Sequence, residues 1–194
     1  MLIDELMPEY DAIRTEHLTV NLPIDRAWDA VLDADFVETA TSSKLVRGLF
    51  AIRTAGEKAV QLVTRKQPPP EPEVASMRLR DMGTEGDWIL LGKNEPNEIA
   101  FGVIGRFWSG ETVWEQTTPD GFRSFNEPGF ARIACNFSLR EYGSGSTLIS
   151  YECRTAPTSE DARKAFMRYW RPMSPFIGMV LRAQLRLIAR TGVQ

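Results

Sequence analysis

Two segments in the second half of the chain constrain the fold most strongly, because one register makes them an antiparallel hairpin. Residues 130–141 and 147–156 flank the turn-forming sequence Tyr142-Gly-Ser-Gly-Ser146. With the turn centred on Ser144, one face carries mostly apolar pairs: Leu139–Ile149, Phe137–Tyr151, Cys135–Cys153 and Ile133–Thr155. The other face carries mostly polar pairs: Asn136–Glu152, Ser138–Ser150 and Ala134–Arg154. Separation of the two sets in one register predicts a hairpin with one buried face.

Further strands are predicted on both sides of the chain's middle. Residues 16–22 alternate strictly between apolar and polar side chains, which predicts a half-buried strand ended by Pro23. Residues 88–92, 98–108 and 112–116 are the other predicted strands. Gly102 and Gly105 inside the second of these indicate a bend or a bulge. The sequence Pro119-Asp-Gly121 predicts a turn.

Helices are predicted at the two ends of the chain and in a long insert. Pro23-Ile24-Asp25 opens a helix that Asp25 can cap, with Ala27, Trp28, Val31 and Leu32 as its apolar stripe. Residues 36–64 have helical periodicity, and the proline-rich residues 67–72 form a stiff exposed loop. Thr158-Ser-Glu-Asp161 starts a last amphipathic helix of about 30 residues. Pro172 and Pro175 are expected to kink or restart it.

The order of these elements is an opening strand, helices, antiparallel strands and one long C-terminal helix, which predicts an α+β fold. An antiparallel sheet with one apolar face must be covered, and the last helix is the obvious cover. The opening strand with Pro23-Ile-Asp-Arg-Ala-Trp28, the strand meander and residues 158–190 resemble the START-like superfamily, also called SRPBCC. Residues 102–108 and 125–134 resemble an uncharacterised bacterial subgroup of it. The resemblance covers the whole chain, which we therefore treat as a single domain, 1–194. The helical insert and proline-rich loop at 36–72 are a departure from the plainest members of the superfamily.

This resemblance implies a helix-grip fold, in which a curved antiparallel sheet wraps around a long kinked C-terminal helix, with extra helices after the first strand. Such folds hold lipids, sterols, polyketides or hormones in an apolar cavity between the sheet and the helix, and a minority of members catalyse reactions. Ligand sites are mostly apolar with few polar anchors. The predicted lining residues are therefore mainly aromatic: Trp88, Phe101, Trp108, Trp114, Phe137, Tyr151, Tyr169, Trp170 and Met173.

Signatures of common catalytic and cofactor sites are missing from the sequence. The one histidine, His17, falls on the polar face of the first strand, where it suits a surface or hydrogen-bonding role, and no metal site or cofactor is expected. No Walker loop, dinucleotide fingerprint or nucleophile elbow occurs. Weak catalytic candidates are Tyr151, Arg106 and Glu115, because a Tyr–Arg or Glu–Arg pair in a dry pocket could polarise a carbonyl or move a proton. Alternation alone leaves open which face of its strand is the inner one.

Composition and charge limit the classes of partner and the cellular compartment that the sequence predicts. The net charge is −3, which argues against a dedicated nucleic-acid binder. No apolar run approaches the length of about 18 residues that crosses a membrane, and the acidic N-terminus is unlike a secretory signal. Two cysteines, predicted to be cross-strand neighbours, favour buried structural thiols in a reducing cytoplasm. Both faces of residues 98–108 are apolar, so the outer face is expected to be covered by residues 36–64 or by a second subunit.

Three functional hypotheses remain open at this stage. The first is binding or transport of a hydrophobic small molecule, and the second is a cofactor-free cyclase or dehydratase acting on a polyketide-like or aromatic substrate. The third is an interaction module with a filled core. Residues 1–38 hold ten acids and two bases, whereas residues 162–194 hold seven bases and no acid, so the two ends are expected to attract each other. Alternatively, the basic helix contacts an anionic membrane or partner through Arg163, Lys164, Arg168, Arg171, Arg182, Arg186 and Arg190.

Overall fold

The computed structural model describes residues 1–37, 76–109 and 112–192. The predicted helical segment beyond Val37 and the predicted proline-rich loop lie outside these residues. The described helices are α1 (Leu2–Leu6), α2 (Ile24–Asp33), a short 3-10 helix (Leu79–Asp81), α3 (Pro119–Ser124) and α4 (Glu160–Thr191). The strands are β1 (Ala12–Val20), β2 (Ile89–Asn94), β3 (Glu98–Arg106), β4 (Val113–Glu115), β5 (Ala131–Glu141) and β6 (Thr147–Pro157).

The strands form one antiparallel sheet in the order β1-β6-β5-β3-β2, and β4 pairs with β3 beyond the end of β2. Every predicted pair of the β5–β6 hairpin occurs, including Cys135 opposite Cys153 and Phe137 opposite Tyr151. The long helix α4 packs against β1 and β6. A curved antiparallel sheet gripping a C-terminal helix is the predicted α+β, helix-grip-like class, and this prediction is confirmed.

Helix α4 begins where the sequence predicts, since the side chain of Ser159 accepts a hydrogen bond from the backbone N–H of Ala162 at 3.3 Å. The helix then continues through Pro172 and Pro175, so of the two predicted alternatives, a kink or a restart, the restart does not occur. In α2 the predicted apolar stripe is buried. The predicted cap is wrong, because Pro23 takes the N-cap position and Asp25 lies in the first turn.

Both faces of the sheet are buried, and they define two separate cores. The inner face, which faces α4, carries Phe101, Phe137 and Tyr151 against the helix residues Leu181 and Leu185. The outer face carries small and branched side chains from the same strands, and these pack with residues of α1 and α3: Ile3, Leu6, Met7, Ile89, Leu91, Ala100, Ile104, Phe122 and Ala134. Among the described residues, the cover of the outer face is two short helices that the sequence did not predict, whereas the predicted cover, residues 36–64 or a second subunit, stays a prediction because it lies almost wholly outside those residues.

Helix α1 is attached to the outer face at both of its ends. Glu98 in β3 accepts hydrogen bonds from the backbone N–H groups of Leu2 at 2.8 Å and Ile3 at 3.3 Å. At the other end the guanidinium of Arg154 donates to the carbonyl oxygen of Met7 at 2.9 Å and to Asp4 at 2.6 Å. These bonds satisfy the backbone groups that a five-residue helix leaves unpaired at both termini.

The glycines of β3 allow close packing, and the predicted bulge does not occur at them. The β3–β5 register runs without a shift from Glu98 to Gly105. A Cβ atom at Gly102 would lie 2.7 Å from the carbonyl oxygen of Ile133, and one at Gly105 would collide with the indole of Trp114. The irregularity falls in β2 instead, between Leu90 and Gly92. The turn predicted at residues 119–121 is the first half of α3, which Thr118 caps.

Candidate functional site

The inner face of the sheet holds a packed aromatic cluster at its centre. The rings of Phe137 and Tyr151 are stacked with their centroids 4.1 Å apart, and Phe101 lies 6.1 Å from Phe137. Trp88 and Phe36 border Phe101 at 5.9 Å each. Of the predicted lining residues, Phe101, Phe137 and Tyr151 are therefore in contact with one another and buried. They form the centre of the inner face beneath α4.

Tyr151 lies on the same face of the hairpin as the two cysteines. Burial raises the pKa of the Tyr151 phenol well above its usual range, and the neighbouring thiols of Cys135 and Cys153 act in the same direction. The thiol of Cys153, which lies opposite, and burial together raise the pKa of the Cys135 thiol in the same direction. Both cysteines are free; Cys135 is buried and Cys153 is half-buried. Tyr151 and Cys135 are thus protonated at neutral pH, and neither is a ready base or nucleophile.

A second group of rings lies where β3 and β4 meet the first half of α4. Phe107 is central: its ring centroid lies 5.2 Å from Trp108, 6.1 Å from Trp114 and 5.6 Å from Tyr169. Unlike the central cluster, these rings are partly exposed, and Trp114 retains 36% of its accessible surface. Trp170 adjoins this group through Phe166, whose ring centroid lies 5.8 Å from Trp108 and 5.7 Å from Trp170. We call the following residues the α4 aromatic surface: Phe107, Trp108, Trp114, Tyr169 and Trp170.

Helix α4 has buried residues near its start and again from Gly178, and its middle is half-exposed. Phe166 is fully buried, and burial resumes at Gly178 and Leu181. Between Phe166 and Gly178 no residue is buried, although this stretch contains Tyr169, Trp170 and Met173. An apolar helix face that stays half-exposed beside exposed indoles suits contact with a hydrophobic molecule.

An ionic cluster that the sequence analysis missed lies between β1 and α4. Glu16 accepts hydrogen bonds from Arg14 Nη2 at 2.6 Å, and its second oxygen lies 3.1 Å from Arg182 Nε. A Cβ atom at Gly178 would lie 2.5 Å from the Arg14 guanidinium, so the glycine allows the helix to approach. The strict alternation of residues 16–22 places Glu16 on the same face as Leu18, and its extension by two residues would have placed Arg14 there too. The Glu16–Arg182 pair joins the acidic and basic ends of the chain, as expected.

The weak catalytic candidates do not converge in the structure. Tyr151 is on the inner face, whereas Arg106 and Glu115 are on the outer face with Ile104. The sheet therefore separates Tyr151 from Arg106, and no Tyr–Arg pair forms. Glu115 lies opposite Ile104 rather than opposite Arg106, whose partner is Val113, and no ion pair joins the two.

Other polar features lie away from this region. His17 is exposed, and its Nδ1 lies 2.8 Å from the hydroxyl of Ser150, as its predicted position suggests. A surface groove of about 390 Å³ runs between α2 and the end of α4, lined by Arg26, Asp29, Ala30, Asp33, Arg80, Thr191 and Gly192. Within the described ranges, no three metal-binding side chains cluster. None of the helices in those ranges has the length and hydropathy to span a membrane.

Comparisons with known proteins give structural similarity only. No family model matches the chain, and no curated relative matches it. A conserved protein from Geobacillus kaustophilus is similar with a TM-score of 0.44 at 9% identity, covering 94% of this chain and 95% of that one. A protein from Nitrosospira multiformis gives 0.43 at 14% identity, covering 92% and 94%. CalU16 from Micromonospora echinospora gives 0.31 at 15% identity, covering 93% and 83%. Similarities this low carry no argument about function, and the fold class depends on the topology described above.

Proposed function

We propose that this protein binds a hydrophobic small molecule, such as a lipid, a polyketide or an aromatic compound, between the sheet and α4. The supporting observation is the α4 aromatic surface, which lies beside the half-exposed middle of the helix. The rings of Phe101, Phe137 and Tyr151 fill the centre of the inner face, so they would contact the side of the ligand that faces the sheet. Trp108, Trp114, Tyr169, Trp170 and Met173 would be its main contacts.

The acidic and phenolic groups of the inner face favour binding over catalysis. Glu16, which would be the natural general base, accepts hydrogen bonds from arginine and is held as an ion pair. Tyr151 is a buried, protonated phenol. A cofactor-free cyclase or dehydratase needs a free acid or base at the substrate, and neither Glu16 nor Tyr151 is free in this sense. We therefore place the cyclase or dehydratase hypothesis second.

The interaction-module hypothesis makes a different prediction about salt. Three of the seven bases in the C-terminal helix contact acids: Arg163 pairs with Asp11, Lys164 with Glu160, and Arg182 with Glu16. Binding of a hydrophobic molecule at the α4 aromatic surface, whose contacts are aromatic rings, should be nearly independent of ionic strength. Binding through the remaining bases should weaken steeply as salt rises.

The test is a titration of the purified protein with fatty-acid and polycyclic aromatic probes, followed by tryptophan fluorescence at low and high salt. Trp170→Ala should weaken binding by at least about tenfold, because it removes a large aromatic contact. Tyr142→Ala is the matched control, since Tyr142 is an aromatic residue in the distal hairpin turn with 60% of its surface exposed. Equal affinity in both variants, or binding that disappears at high salt, contradicts the proposal.

A further inference from the structure

Two arginines on the outer face of the sheet are diagonal neighbours in the β3–β5 register, and neither has an anionic partner among the described residues. Arg132 in β5 is paired with Ile104 in β3. Arg106 is two residues further along β3 and therefore projects from the same face. Diagonal neighbours of this kind have Cα atoms about 7–8 Å apart, within reach of two long side chains.

The other arginines of comparable burial are neutralised. Four arginines of the described residues are buried or half-buried. Arg14 pairs with Glu16 at 2.6 Å, and Arg154 pairs with Asp4 and Glu152 at 2.6 Å each. Arg106 and Arg132 form no ion pair with any acid in those ranges, and the Nε atom of each is buried without a hydrogen-bond partner.

The surroundings of the two guanidinium groups are apolar rings and a carbonyl group. Arg132 Nη1 donates to the carbonyl oxygen of Arg123 at 3.0 Å. Arg106 Cζ lies 5.8 Å from the ring centroid of Phe130, and Phe125 packs edge-on against that ring at 5.6 Å. Burial lowers the pKa of the Arg132 guanidinium, as expected when a cation is desolvated without a counter-charge. Two adjacent cations in such a setting are costly unless an anion neutralises them.

We propose that Arg106 and Arg132 form a binding site for a phosphate dianion at this end of the outer face. Two guanidinium groups carry the charge that balances a dianion, and their remaining Nη donors match the oxygens of a phosphoryl group. Phe125 and Phe130 form an apolar wall on which the organic part of a phosphate monoester could rest. The sheet separates this site from the α4 aromatic surface, so the two proposals stand independently.

The test measures binding of inorganic phosphate by calorimetry, with sodium chloride used to hold ionic strength constant. Wild-type protein should bind phosphate, and Arg106→Gln and Arg132→Gln should each weaken binding by about tenfold or more. Arg140→Gln is the matched control, because Arg140 is an exposed arginine in β5. Its affinity should be unchanged. Absence of phosphate binding by the wild-type protein, or an equal loss in all three variants, overturns the proposal.

A second measurement keeps the variants interpretable and identifies the source of the phosphate. Each variant should melt no earlier than the wild-type protein without phosphate, since each removes an unpaired cation, and phosphate should raise the melting temperature of the wild-type protein and the control only. Arg106→Lys, which keeps the positive charge but loses the paired N–H donors of the guanidinium group, should bind phosphate more weakly than the wild type.

Sedimentation with phosphatidylcholine vesicles that contain phosphatidic acid distinguishes a lipid headgroup from free phosphate as the ligand. Co-sedimentation that depends on Arg106 identifies the headgroup, and phosphate binding without co-sedimentation identifies a soluble phosphate. Co-sedimentation that does not depend on Arg106, in a protein that fails to bind phosphate, contradicts the proposal.

Discussion

Replacement of Arg154 by methionine should release α1 from the outer face of the sheet. The Arg154 side chain retains 8% of its surface and pairs with Glu152, which retains 16%, and with Asp4, which retains 52%. It also donates to the carbonyl oxygens of Ile3 and Met7, where α1 ends. Methionine keeps much of the apolar stem, so the variant removes mainly the charge and the hydrogen bonds.

The expected loss in the free energy of unfolding depends on which partners of Arg154 would stay buried without it. Removal of one partner from a buried ion pair costs roughly 3–5 kcal/mol. The pair with Asp4 is half-exposed and adds little, whereas Glu152, which is 16% exposed, would lose its partner with little access to water. We therefore expect the free energy of unfolding to fall by about 3 kcal/mol. Arg140→Met is the control, because that arginine is exposed, and it should cost less than about 0.5 kcal/mol.

The assay is urea unfolding followed by circular dichroism, with amide hydrogen exchange at residues 1–7 as the local readout. Exchange at these residues should rise in Arg154→Met and stay unchanged in Arg140→Met. A loss below about 1 kcal/mol with α1 still protected would refute the assignment of Arg154 as its anchor.

The same contact sets a pH dependence. The hydrogen bond from Arg154 lowers the pKa of the Asp4 carboxyl below its usual value. A carboxyl with a depressed folded pKa stabilises the protein above its unfolded pKa of about 3.9, and this contribution is lost as pH falls through the folded value. The stability difference between wild-type protein and Asp4→Asn should therefore disappear under acid and be constant at neutral pH.

Three further substitutions separate packing from ligand contact. Phe166→Ala should destabilise the fold by about 3–5 kcal/mol because the ring is fully buried, whereas half-exposed Trp170→Ala should cost clearly less in the same urea titration. Gly102→Ala should cost about 1–3 kcal/mol, since its Cβ atom would meet the backbone oxygen of Ile133; a neutral effect contradicts the close approach of β3 and β5. Tyr151→Phe should keep ligand affinity within about tenfold, because the ring is the contact and a lost hydrogen bond costs about 1 kcal/mol. In the wild-type protein the raised pKa of the buried phenol lowers the free energy of unfolding as pH rises above about 10. This decrease at alkaline pH should be smaller in Tyr151→Phe.

The β5–β6 hairpin was predictable because its information is local. One turn sequence and two alternating segments fix the register, and this register placed Tyr151 on the inner face correctly. Helix α1 was not predictable, because five residues are too few to form a helix without tertiary contacts. Its termini depend on Glu98 and Arg154, which are about a hundred or more positions away in the sequence.

The candidate site was only partly predictable for a related reason. Alternation groups residues by face, but it does not say which face of β3 meets the long helix when both faces are apolar. Arg106 therefore stayed beside Tyr151 as a candidate partner, although the sheet separates them. In β1 the alternation was unambiguous, and Arg14 and Glu16 could have been assigned to the inner face alongside Leu18. Their convergence with Arg182 depends on how α4 crosses β1, which only the three-dimensional packing defines.

The central claim is that a hydrophobic molecule occupies the space between the sheet and α4. Native mass spectrometry of the protein purified from its expression host, with the denatured mass as reference, tests this most directly. The account predicts an added mass of a few hundred daltons that is lost on denaturation, is extracted by organic solvent and is reduced in Trp170→Ala. A protein that carries no added mass, and that does not change its tryptophan fluorescence with any acyl or aromatic probe, would contradict it.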